Sequence, residues 1–178
     1  MLDPVIQNST PADNRKLLAV AIASLAILHL VEFALHGRVP ERIGPGEVKI
    51  NISGLILLVS NYVVFLFTFK KALKDSPQVR LIYLLVFGCL IVFFAEIICQ
   101  TVRLGLEQAG IGETGGLRGA LVSILGQPLC SLMVSVPLAI ELRYKNKLLA
   151  TLIFFAIGFL AWYLFIHLGL LEDLRSLL

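Results

Sequence analysis

His29, Glu32 and His36 stand at i, i+3 and i+7, and Glu96, Gln100 and Arg103 at i, i+4 and i+7. On a helix each spacing gathers its three side chains on one face. An imidazole takes up and releases a proton near neutral pH, a carboxylate accepts a proton or holds a cation, and both can ligate metals. With His167, these residues include every histidine of the chain.

All seven stand within or at the ends of long apolar runs. An ionised side chain at a bilayer centre costs about 2.5–3.5 kcal/mol on insertion scales, so such residues turn towards a bundle interior, a cavity or one another. His29, Glu32, His36, Glu96, Gln100, Arg103 and His167 therefore form a candidate ligand or ion pocket, suited to a proton, a cation, a metal or a quinone-type headgroup. In a competing, purely structural reading, Glu32 or Glu96 pairs with Arg103 and the histidines sit at headgroup level. Metal and cofactor stay unassigned. The spacing of His29, Glu32 and His36 differs from the H-E-x-x-H zinc signature. A haem needs histidines at matching depth, whereas His29 lies about 10 Å from the level of His36 or His167 at the helical rise per residue.

Ser123, Gln127, Ser131 and Ser135, with Gly119 before them, recur every fourth residue and make a polar face on one helix. Small and hydroxyl side chains at this spacing permit close packing and interhelical hydrogen bonds. Beside Pro128 and Pro137 the same face could instead line a hydrated path. Ala19 and Ala23 repeat the small-x-x-x-small spacing, and Asn61 is expected to bond across helices.

Other motifs fail on context. Gly110, Gly112 and Gly115 spell G-x-G-x-x-G, but they follow an apolar helix instead of a strand and lack the acidic partner about twenty residues on. Cys89, Cys99 and Cys130 are odd in number and form no C-x-x-C pair, which supports neither a disulfide framework nor a zinc knuckle. Cys99 has Arg103 one turn away, yet no catalytic residue is assigned. There is no P-loop and no G-x-S-x-G elbow.

The elements that must position these residues are membrane helices. Of 178 residues, 58% are hydrophobic and 15% charged, against roughly 45–50% and 25% in a soluble domain. A bilayer core of about 30 Å needs about 20 apolar residues, because in lipid the backbone must bond within its own helix. Five segments meet that length, at about 17–35, 50–69, 81–104, 117–142 and 148–171, after a polar tail over 1–14. The expectation is an all-α, polytopic five-helix bundle forming one integral membrane domain over 1–178.

The basic residues set an orientation. Arg15, Lys16, Lys70, Lys71, Lys74, Arg80, Arg143, Lys145 and Lys147 fall on one side, and Arg38, Arg42, Lys49, Arg103, Arg118 and Arg175 on the other. By the positive-inside rule, the N-terminus faces the cytoplasm and the C-terminus the exterior of a cell inner membrane. The formal net charge of +3 resides in these clusters, which read as topology signals and not as a nucleic-acid surface. The partners expected are the lipid bilayer and further membrane subunits, either copies of this chain or others. Two classes of function fit: translocation of a small solute or ion, including proton-coupled movement, or service as a subunit of a larger membrane complex. An embedded enzyme or redox protein acting on a lipid, quinone or metal is the alternative.

Overall fold

A computed structural model of the chain describes residues 11–35, 42–43, 50–110 and 116–163. They form α1 (Pro11–Leu35), β1 (Arg42–Ile43), β2 (Ile50–Asn51), α2 (Ile52–Asp75), α3 (Leu81–Gln108), α4 (Gly116–Tyr144) and α5 (Lys147–Trp162). The two strands are two residues each and pair antiparallel, Arg42 with Asn51 and Ile43 with Ile50. They correct the expected start of the second span: the backbone of Ile50 and Asn51 bonds across a hairpin, and the helix begins only at Ile52.

Among the described residues, four helices are long and apolar enough to cross a membrane: Asn14–Leu35, Ile52–Asp75, Leu81–Gln108 and Gly116–Tyr144. The expected fifth span falls short of that test. The sixteen residues of α5 reach about 24 Å at 1.5 Å each, less than a hydrocarbon core of about 30 Å. Residues 164–171 of that span lie outside the described residues, as do the G-x-G-x-x-G positions after Gly110.

Helix α1 packs against α2 and α3, and α4 packs against the same two, while α2 and α3 scarcely touch. The four spans thus close a ring in the order α1, α2, α4, α3, and α5 lies outside it against α4. Short links join α2 to α3 and α4 to α5. Lys145, with a left-handed φ of 54°, turns the chain between α4 and α5, and the Asn146 side chain caps α5 by accepting from the Leu149 amide at 2.9 Å. The Arg143 guanidinium donates to the Pro77 carbonyl, tying the end of α4 to the turn between α2 and α3. The start of α1 meets the same region, since Asn14 and Leu17 share a cavity with Ala72, Ser76 and Tyr83. This is the basic end of the bundle.

The interior has two halves. Towards the basic end it is mainly apolar, with Thr68 and Ser135 as buried polar exceptions: the rings of Phe65 and Phe69 stack 5.4 Å apart at 6°, fully buried with Leu84 and Ile91. Gly88 makes room for them, because a Cβ there would meet Phe69 Cζ at 3.2 Å. Towards the opposite end the interior is polar and holds His29, Glu96 and Gln100, all buried.

Candidate functional site

Helices α1 and α3 bring their polar stripes face to face. His29 Nδ1 lies 2.6 Å from Glu96 Oε1, with His29 0% and Glu96 3% exposed. Glu96 is fifteen residues into α3, about 22 Å along a helix of about 42 Å, and so at mid-membrane. The second carboxylate oxygen is held as well: Gln100 Nε2 donates to Oε2 at 3.1 Å and Ser123 Oγ at 3.0 Å. Three helices converge on one carboxylate. At that depth a bare charge would have no solvent, and its neighbours supply the hydrogen bonds that water would otherwise give.

One turn further towards the opposite end, Arg103 Nη2 approaches Glu32 Oε2 and the His29 carbonyl oxygen, each at 3.4 Å. Its guanidinium also covers the Phe33 ring, 4.7 Å from the centroid. Cys99 Sγ donates to the Ala26 carbonyl at 3.3 Å, so this thiol sews α3 to α1. Of the two pairings weighed for Arg103, the structure contains the one with Glu32; Glu96 is turned towards His29 instead. His29 Nε2 and Arg103 Nε are buried and make no hydrogen bond among the described residues.

Five of the seven candidate pocket residues, His29, Glu32, Glu96, Gln100 and Arg103, are thereby assembled. His36 and His167 lie outside the described residues. Among the described residues no three of His, Cys, Asp and Glu gather in a way that would hold a metal ion.

The polar face of α4 divides. Ser123 belongs to the Glu96 cluster, a partnership not read from the sequence; its signal is that an up-and-down course sets the first turns of α4 beside the last turns of α3. Gln127 is half-buried. Ser131 is buried and donates to the Pro128 carbonyl at 2.7 Å, within its own helix. Ser135 is fully buried with its Oγ unpartnered, as is Asn61 Oδ1 on the neighbouring α2. The expected bond of Asn61 across helices is therefore not made through Oδ1. Ala19 and Ala23 point outward, so their small-residue spacing packs against nothing within the described bundle.

Comparisons with known protein families, with curated proteins and with solved structures find no match.

Proposed function

We propose that this chain is a five-span protein of a cell inner membrane, N-terminus cytoplasmic and C-terminus external, that moves protons, alone or together with a small solute. The pocket of His29, Glu32, Glu96, Gln100 and Arg103, extended by His36 and His167, is its working site. The observation that carries this reading is the buried 2.6 Å pair of His29 and Glu96. A buried pair of ionisable groups is a poor device for stability, since well-packed apolar residues often serve as well or better. Inside a membrane an ionisable pair marks, by default, the path of a proton or ion.

The chemistry follows from the atoms. Glu96 engages one imidazole nitrogen and the buried Nε2 remains as the second proton-exchanging position. Glu32 and Arg103, whose side chains are 7% and 19% exposed, lead from the pair towards the external end. Inward, the Phe65 and Phe69 stack closes the apolar half, so movement through the bundle requires a second conformation. Pro128 and Pro137 inside α4 interrupt its backbone ladder and are the natural hinges. The excess of basic residues at one end supports the orientation, and the apolar run of the sequence over 148–171 supports a fifth span.

A second reading, as a subunit of a homo- or hetero-oligomer, is favoured by the outward Ala19 and Ala23 on α1. Small residues on a lipid-facing helix permit close approach of another helix. The embedded-enzyme alternative would use His29 as a base, but it has no comparable support.

Reconstitution into vesicles tests the main reading. With a potassium gradient and valinomycin, vesicles holding the protein should acidify or alkalinise at least about a hundredfold faster than empty ones, the low end of the step that one well-placed proton-transfer group supplies. Glu96→Gln should abolish the difference while leaving insertion and helix content intact. Flux equal to that of empty vesicles, or unchanged in Glu96→Gln, would overturn the proposal. A cysteine replacing Lys74 in a cysteine-free background should label only from the cytoplasmic side; external labelling would reverse the orientation.

A further inference from the structure

Outside the ring a cavity of about 280 Å³ lies between α2, α4 and α5. Helix α5 turns back along α4 after a link of two residues, Lys145 and Asn146. Glu141, three residues before the end of α4, is therefore level with Ala150, three residues after the start of α5. Glu141, Ala150 and the adjoining Thr151 all line the cavity. From Glu141 the lining follows one face of α4 through Leu138 and Pro137 to Val134, about 10 Å deeper in the bilayer. Tyr62 and Phe155 in its wall are 43% and 67% exposed, so the cavity is open sideways towards lipid.

The lining is matched to one ligand chemistry. Glu141 is its single charged residue, and among the described residues no ion pair or hydrogen bond engages the Glu141 carboxylate. Arg143, two residues on, is directed to the Pro77 carbonyl instead. Tyr62, Phe154 and Phe155 supply three aromatic rings, whose faces attract organic cations. Leu58, Val134 and Leu138 add hydrocarbon wall. A calcium or magnesium ion would find one carboxylate where it needs several oxygens. A neutral lipid would cover the wall and leave the carboxylate unpaired. A cation with a hydrocarbon body satisfies both.

We infer that this cavity binds a lipophilic organic cation of the alkylammonium class, taken sideways from the leaflet at the basic end. Its ammonium sits at Glu141 and its hydrocarbon lies among the rings, against Leu58, Val134 and Leu138. The site is separate from His29 and Glu96, and its occupancy does not depend on proton movement.

The test uses the full chain in phosphatidylcholine vesicles, whose lack of net charge removes diffuse attraction of cations. Trp162→Phe removes the chain's one tryptophan, and Phe155→Trp places a reporter in the wall. Phe154→Trp is a second reporter should the first disturb packing. The probe is ω-bromooctyltrimethylammonium, whose bromine quenches tryptophan, compared with neutral ω-bromooctanol at equal mole fraction in the membrane. The cation should quench at a mole fraction about fivefold lower, the upper end for one partly exposed charge pair. Glu141→Gln should abolish this preference and leave quenching by the alcohol unchanged. Equal quenching by the two probes in the reporter chain would overturn the proposal, as would a preference that survives Glu141→Gln. So would quenching by phosphatidylethanolamine, brominated on its acyl chains, at as low a mole fraction as the cation, because the cavity would then belong to a membrane lipid.

Discussion

The two halves of the bundle interior solve the same problem by different means. Around Phe65, Phe69, Leu84 and Gly88 the helices are held by shape, with stacked rings set against a glycine. Around His29 and Glu96 they are held by a few directional bonds, and Gln100, Ser123 and Arg103 each answer a specific oxygen. In lipid, burial of apolar surface brings helices together much less than it does in water, because the surroundings are equally apolar. Close packing serves at one end and hydrogen bonds at the other. The apolar half tolerates a change of residue while volume is kept, whereas the polar half tolerates a change of volume more readily than loss of a donor or acceptor.

The sharpest way to break this comparison is to exchange the penalties. Phe65→Ala should lower stability by about 3–5 kcal/mol, as expected for an aromatic deleted from a packed core, with proton flux retained in the folded fraction; unfolding in mild detergent measures the first and vesicle flux the second. His29→Ala should cost about 3 kcal/mol because it leaves the buried Glu96 carboxyl without its closest partner. Adding Glu96→Gln should recover much of that loss without recovering flux, and additive losses would show that the pair is not coupled. Gly88→Ala should cost about 1 kcal/mol, the low end for overpacking, since Phe69 must give way by only a few tenths of an ångström. Ser123→Ala removes one of three bonds to Glu96 and should cost about 0.6 kcal/mol, the average for interhelical bonds in membranes. If Ser123→Ala proved as damaging as Phe65→Ala, the division into two halves would fail.

Much of the architecture was legible in the sequence because hydropathy is a local property. The apolar runs predict α1 to α4 to within a few residues at most ends; α1 starts six residues before its run, α2 ends six residues after, and α3 and α4 extend slightly beyond theirs. The start of α2 was misplaced because Ile50 is as apolar as the helix it precedes; only its pairing with Ile43 in a hairpin separates the two. The composition of the polar stripes was also legible, since i, i+3, i+4 and i+7 spacings fix which residues share a face. In sequence Ser123 belongs only to a polar face fit for packing or for a hydrated path, because nothing along α4 says which neighbour that face will meet.

The sequence by itself determined that the chain lies in a membrane, where its four membrane-length helices fall, which end is basic, and that ionisable groups occur at mid-span on two helices. Only the tertiary structure decided that His29 takes Glu96 while Arg103 takes Glu32, that Ser123 joins them, and that Ala19 and Ala23 face outward. The physical reason is one of range. Helix formation and membrane insertion depend on residues within a few turns of one another, whereas a hydrogen bond between helices depends on their rotation and offset to within about an ångström. That is set by all the packing contacts of the ring together.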